Sequence, residues 1–234
     1  MASSPVVLIL GAGSNVGQHV ARAFAAKNYK VALVARKLKE EESTPDQLNI
    51  PGDLSNPNTV VDAFAKVKAV FGHPSVVVYN AAAVTANDAK NPLSLTLTDF
   101  ARDLNVNTTS AFVAAQQAVT SFEKLSSSDS RTFIYTGNIL NHGPLAAFPT
   151  LLDLGVGKSA TAHIIQAASN AYKDQGFKFY YADERKADGS AAFAIDGEAH
   201  AKIFTQLAEG TTQGPWEQTF VKGVGYKNFA ASNL

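Results

Sequence analysis

Apolar residues in this chain come in two kinds of run, and the two alternate. Val6–Leu10 is a short unbroken apolar run ending at Gly11, the pattern of a strand buried on both faces. The stretch from Val16 to Lys27 then repeats its apolar positions at helical spacing, with Val16, Val20 and Phe24 on one face. The same alternation continues. Strands are predicted over 30–37 (KVALVARK), 48–54 (LNIPGDL), 75–80 (SVVVYN), 131–137 (RTFIYTG) and 177–182 (FKFYYA). Helices are predicted over 55–72, opening on a polar cap near Asn58, over Leu97–Leu125 as one long or broken helix, and over Val156–Gln175. Past residue 182 the pattern loosens, with a helix near Glu198–Glu209 and a glycine-containing tail.

Strands and helices that alternate through short loops predict a parallel sheet, because each parallel strand needs a crossover and the crossover is a helix. Right-handed crossovers then make the chain an α/β protein, a Rossmann-like doubly wound parallel sheet with helices on both faces. No repeat and no long linker divides it, so residues 1–234 are expected to form one domain. Residues 183–234 are expected to supply a lid or wall for the substrate and a C-terminal extension.

Composition narrows the chemistry. The chain has no cysteine, which excludes disulfides, thiolate metal sites and a thiol nucleophile. Lys and Arg number 20, as do Asp and Glu, and no basic tract stands out, so nucleic acid is not an expected partner. The five histidines, His19, His73, His142, His163 and His200, never fall at H-x-x-x-H spacing, so no metal site is expected. The N-terminal MASSPVVLIL lacks a basic region and runs straight into a strand, and no apolar run reaches transmembrane length. A cytoplasmic protein with no membrane contact is the expectation.

The loop GAGSNVG places Gly11, Gly13 and Gly17 between the first strand and the first helix. Glycines there let a phosphate approach the backbone, and the helix N-terminus supplies N–H groups and a favourable dipole. A dinucleotide is the expected ligand, held by Gly11, Gly13, Ser14, Asn15, Val16 and Gly17. The second strand ends in Arg36-Lys37 and carries no carboxylate there. A guanidinium can pair with a 2′-phosphate, so NADP(H) is expected over NAD(H).

With these residues in view the chain resembles the short-chain dehydrogenase/reductase family from about Val6 to Ala182. The glycine loop fits the family pattern except that Asn15 replaces the middle glycine, a residue that tolerates the left-handed conformation. The resemblance implies that Asp53 of Gly-Asp-Leu, with Leu54, meets adenine. Tyr-Asn-Ala-Ala at 79–82 resembles the family's Asn-Asn-Ala-Gly segment, which places Asn80, Ala81 and Ala82 at the cofactor. Asn107 of NTTSAF matches the active-site asparagine, and Lys158 the lysine that binds the nicotinamide ribose. Asn138 is the counterpart of the catalytic serine, with Asn141 also eligible.

The family's tyrosine stands four residues before the lysine, and here that position is Leu154. Leucine carries no proton to give. Asp153 adjoins the gap, and Tyr180 or Tyr181 could reach in from strand six, or could be core or rim aromatics instead. A substrate that needs no tyrosine acid is the other repair, with Asn138, Asn141 and His142 as hydrogen-bond donors. The resemblance therefore implies an NADP-dependent oxidoreductase that transfers hydride to a small organic substrate through a non-standard proton relay. The alternatives are a catalytically inactive NADP(H)-binding or sensor protein and a non-redox catalyst using the same pocket. Small residues on two helices (Ala111, Ala114, Ala115, Ala118; Ala160, Ala162, Ala167, Ala168) point to a homodimer or homotetramer with a two-fold interface.

Overall fold

A computed structural model describes residues 4–142 and 148–229. Its elements in chain order are β1 (Val6–Leu10), α1 (Val16–Ala25), β2 (Lys30–Ala35), β3 (Gln47–Pro51), α2 (Asn58–Val70) and β4 (Val76–Tyr79). Then come α3 (Leu97–Leu104), α4 (Ser110–Phe122), β5 (Thr132–Thr136), α5 (Leu152–Tyr172), β6 (Lys178–Arg185), α6 (Gly197–Glu209), β7 (Glu217–Val221) and β8 (Gly225–Tyr226). The strands form one sheet in the order β3-β2-β1-β4-β5-β6-β7-β8. Every pair is parallel except β7 with β8. The order reverses between β1 and β4, so loops at the C-terminal strand ends open a crevice there, the place where ligands bind in such sheets.

Because side chains alternate across a strand, β1 divides its apolar residues between two cores. Val6, Leu8 and Leu10 pack with Phe64 of α2, Ala114 of α4 and Ile165 of α5. Val7 and Ile9 pack with Val16, Val20 and Phe24 of α1 and Phe204 of α6. Helices on both faces thus account for the continuous apolar reading of the central strands. Lys178 ties the second layer down by donating to the Leu207 and Ala208 carbonyls at the end of α6, at 3.1 and 3.0 Å.

The structure sharpens the sequence expectations at two places and departs from them at two more. The 97–125 segment is broken: between α3 and α4, residues Asn105–Thr109 form a π turn. Its loosened carbonyls are taken by core phenols, Tyr79 Oη donating to Val106 O at 2.5 Å and Tyr135 Oη to Asn107 O at 3.0 Å. Helix α2 is capped two residues early, by Asn56, whose side chain accepts the Asn58 N–H at 3.1 Å. Helix α5 begins at Leu152, not Val156, because Asn87, far away in sequence, accepts the Leu152 N–H at 3.0 Å. Lys158 is therefore in the second turn, with Leu154 one turn before it on the same side of the helix.

The fourth place is the tail. Residues 183–229 are less a lid than a continuation of the body: β6 runs on to Arg185, β7 pairs beside it, and α6 lies against α1. The loop around Ala191–Ile195 walls the cavity that holds Lys158. Three of the four alanines of α4 face inward: Ala111, Ala114 and Ala118 are buried in the core and are not available to a partner, whereas Ala115 borders the groove on the outer face.

Candidate active site

Two cavities lie end to end along the C-terminal edge of the sheet and share Gly13, Asn80 and Ala82. The first, about 360 Å3, is bordered by Gly11, Arg36, Asp53, Leu54 and Ala81. The second, about 500 Å3, runs from Ser14, Asn15 and Val16 at the start of α1 to Asn138 and Lys158. Most of the residues expected at a cofactor are thus brought to one cleft. Lys37 is not among the lining residues; it is exposed beyond Arg36. Gly17 is buried beneath the loop, where an added Cβ would stand 2.7 Å from Ala12 Cα.

The loop geometry explains why glycine occurs where it does. Gly11 has φ +97°, and an added Cβ would stand 2.4 Å from Ala81 N against the Asn80–Ala81 backbone, so a side chain there would be strained and would collide. Gly13 has nothing within 4 Å of where a Cβ would project, and it faces both cavities. That open surface beside the N-terminus of α1 is what a pyrophosphate requires. Asn15 does not need its tolerance of the left-handed conformation: its φ is −97°, and the positive φ is carried by Gly11. Asn15 Nδ2 donates to Ile195 O at 2.9 Å, so the loop is tied to the wall of the second cavity.

Asn80 holds the centre of the cleft. Its Nδ2 donates to Gly11 O at 2.8 Å and its Oδ1 accepts from Thr136 Oγ1 at 2.9 Å, bridging the first loop to the end of β5. At the adenosine end, the Ser55 N–H donates to Asp53 Oδ1 at 2.9 Å, and this bond holds the carboxyl below its ordinary range, helped by Arg36. Asn107, in the π turn, pins the loop that follows Asn80: its Oδ1 accepts from Ala83 N at 3.0 Å and its Nδ2 donates to Ala83 O at 2.8 Å. Its own carbonyl is occupied by Tyr135 Oη and by Thr161 Oγ1, the latter at 2.8 Å.

Lys158 forms the floor of the second cavity. It is 4% exposed, its Nζ donates to Thr136 O at 2.8 Å, and it lies 4.5 Å from the centre of the Tyr135 ring. Burial lowers its pKa to about 7, against the pull of the Asp183 charge, which favours the ammonium. Asp183 is itself buried, which raises its carboxyl to about 6 despite the adjacent Arg185 guanidinium. Asp183 Oδ1 and Arg185 Nη2 have no hydrogen-bond partner among the described residues.

The tyrosines of strand six do not enter the cleft. Tyr181 stacks on Tyr135 (5.6 Å between ring centres) and exchanges hydrogen bonds with the Asn138 backbone, accepting from N at 3.1 Å and donating to O at 2.7 Å. Tyr180 faces the other core and bonds Thr212 O and Gly214 N. Both side chains have a complete packing role, the core-aromatic reading. Tyr181 nevertheless fixes Asn138, whose Oδ1 accepts from Leu140 N at 3.1 Å and whose amide group borders the cavity. Asn141 and His142 turn away to Glu217 on β7. Asp153 is 1% exposed, accepts from Thr85 N at 2.8 Å and faces Asp103, not the cleft. Burial and the Asp103 charge raise its pKa.

What remains of the second cavity is apolar: Ile139, Leu140, Leu151, Leu154 and Ile195, with Phe148 and Phe193 in contact across the opening (ring centres 5.2 Å apart). This wall was not legible in advance, because its members come from three separated segments and none carries a motif.

Comparison with known proteins settles the lineage. The family described as short chain dehydrogenase matches residues 5–140. The chain belongs to the short-chain dehydrogenase family. A short chain dehydrogenase/reductase of Cryptosporiopsis sp. (strain 8999) is 50% identical over 98% of this chain and 96% of its own length. Among solved structures, a short-chain type dehydrogenase/reductase from Mycobacterium marinum superposes with a TM-score of 0.76 at 19% identity, covering 94% of this chain and 95% of its own. A metagenomic short-chain oxidoreductase solved in complex with NADP has a TM-score of 0.75 at 16% identity, over 92% of this chain and 97% of its own. The family match stops at residue 140, before the segment that carries Leu154 and Lys158. Among the described residues no helix is long and apolar enough to cross a membrane.

Proposed function

We propose that the chain is an NADP(H)-dependent oxidoreductase of divergent short-chain type, acting on a small organic substrate with an apolar body. The observation that carries the reading is the continuous cleft from Asp53 and Arg36, past the open face of Gly13, to Lys158. Arg36 supplies a guanidinium where the 2′-phosphate would lie, Asp53 and Leu54 border the adenine end, and Lys158 would hold the nicotinamide ribose. When bound, the cofactor would supply the hydride. The chamber's wall of leucine, isoleucine and phenylalanine favours a planar or aliphatic substrate whose polar group reaches Asn138 and Lys158. The short chain dehydrogenase/reductase of Cryptosporiopsis sp. that is 50% identical over nearly the whole chain supports the oxidoreductase part of this reading.

Calorimetry tests it. NADPH is expected to bind at least about tenfold more tightly than NADH, a difference of about 1.4 kcal/mol. Equal affinities would overturn the assignment. The second reading, a protein that binds NADP(H) without turning it over, draws on the apolar Leu154 facing the cavity where a proton donor is wanted. A scan of NADPH oxidation against planar ketones and quinones separates the two.

We also propose a homodimer or homotetramer built on the outer faces of α4 and α5. Phe112, Val119, Ile164 and Ala168 line an open apolar groove there, larger than isolated surface residues explain. Light scattering at micromolar concentration checks it: a strictly monomeric mass excludes the interface.

A further inference from the structure

Hydride arriving at a carbonyl carbon leaves a negative charge on the oxygen, and some group must quench it. In the second cavity the choice is narrow. Among the described residues that line it, Lys158 has the only ionisable side chain. Residues 143–147, Gly-Pro-Leu-Ala-Ala in the sequence, have none to add. Tyr180, Tyr181, Asp153 and His142 are each committed elsewhere, as described above. One N–H of Lys158 is held by the Thr136 carbonyl, and an ammonium has two more.

We propose, building on the oxidoreductase reading, that Lys158 is itself the proton donor of this enzyme, with Asp183 as the positioning residue that keeps it charged. As hydride bonds to the substrate carbonyl carbon, the π pair of the C=O bond moves to oxygen. The oxygen then takes a proton from Nζ, leaving a neutral amine that is recharged from solvent. In the oxidative direction the neutral amine accepts the alcohol proton.

The surroundings of Lys158 suit the task. On β5 the Tyr135 ring lies beneath the ammonium; on β6 Asp183 attracts it while Arg185 binds that carboxylate, and Glu217 on β7 and His142 in the turn after β5 act on Asp183 in turn. Burial and this carboxylate act in opposite directions and leave the ammonium acidic enough to donate near neutrality. The Asn107 carbonyl, already accepting from Tyr135 and Thr161, contributes no further relay.

The decisive measurement needs no cofactor: titration of the protein labelled with 13C at lysine Cε, followed by NMR, with Lys158 assigned by the signal lost in Lys158→Met. The expected midpoint is near 7, against an ordinary lysine at about 10.4. Asp183→Asn should lower it further, since the residue's charge favours the ammonium. The same variants are then assayed for NADPH oxidation with 9,10-phenanthrenequinone as a planar dicarbonyl probe. Reduction by the unmutated protein should fall as pH rises through the Lys158 midpoint. Lys158→Arg, which keeps the charge and hydrogen bonds but cannot release a proton, should keep NADPH affinity within about threefold and lose at least tenfold in kcat. A Lys158 midpoint above 10 overturns the proposal even if Asp183→Asn fails to fold. So does unmutated protein that binds NADPH yet does not reduce the probe at any pH, or Lys158→Arg with full turnover. Failure to bind NADPH at all instead overturns the cofactor reading beneath it.

Discussion

The two halves of the cleft are built on opposite principles. The adenosine half, from β1 to the end of β4, is shaped by backbone: a glycine at φ +97°, a helix N-terminus, and Asn80 bonded to a main-chain carbonyl. The chamber beyond β5 is shaped by side chains: an apolar wall around one buried lysine, with Asp183 and Arg185 behind it. Backbone geometry admits few solutions, so the first half keeps its glycine loop; the family match covers all of it and reaches Asn138, Ile139 and Leu140 of the chamber as well. A side-chain chamber changes by substitution without disturbing the sheet. Affinity for the cofactor and chemistry on the substrate should therefore separate under mutation.

The largest effect is expected from the pair Gly11→Ala and Gly13→Ala, which would break the comparison within one loop. Gly11→Ala adds left-handed strain and a collision with the Asn80–Ala81 backbone, and should cost about 2–5 kcal/mol in chemical denaturation. Gly13→Ala meets no protein atom and should leave stability within about 0.5 kcal/mol while weakening NADPH binding in calorimetry. If both lose stability alike, the cavity beside Gly13 is not the open cradle described here.

Arg36→Asp comes next. Replacing attraction by repulsion at the 2′-phosphate should weaken NADPH at least about tenfold, or about 1.4 kcal/mol, with NADH little changed. Lys37→Asp should do much less, because Lys37 is turned out to solvent.

Leu154→Tyr sharpens the comparison from the chamber side. It places a phenol one turn before Lys158, so turnover of a carbonyl substrate should rise and its alkaline limb should move upward. NADPH affinity should stay within about twofold. Unchanged turnover would show that the phenol cannot reach the reacting oxygen.

The pH dependence of stability tests the buried lysine directly. The Lys158 pKa is depressed on folding, so the unfolded chain binds the extra proton between about pH 7 and about 10.4. The lysine therefore favours folding most at high pH, and this contribution is lost as pH falls through about 7. Denaturation of Lys158→Met should lack the rise in stability across that window. The smallest effect is at the α2 cap: Asn56→Ala should cost about 1 kcal/mol.

Much of the site could be read in advance because its residues are consecutive or at the spacing of one strand–loop–helix unit. Gly11, Gly13 and Arg36 belong to this class. Asn107 was legible as a position, but its bonds to Ala83 and its π turn were not, since a widened turn depends on which phenols reach its carbonyls. Tyr180 and Tyr181 show the limit most clearly. Both are strand aromatics near the right end of the sheet, and only the packing shows that one is stacked on Tyr135 and the other lies in the opposite core.

From its sequence alone the chain is committed to alternating strands and helices, to a parallel sheet and to a glycine loop that meets a helix. Those features depend on local periodicity and on which residues tolerate a given backbone angle. Tertiary structure decided that α5 starts at Leu152, since its first N–H is bonded by Asn87, 65 residues earlier in the chain. It also turned the tail into β7 and walled the chamber with residues from three segments. Finally, it left Lys158 as the ionisable side chain at the cavity floor among the described residues. Burial, charge pairing and cavity shape are sums over neighbours distant in sequence, and no local pattern encodes those sums.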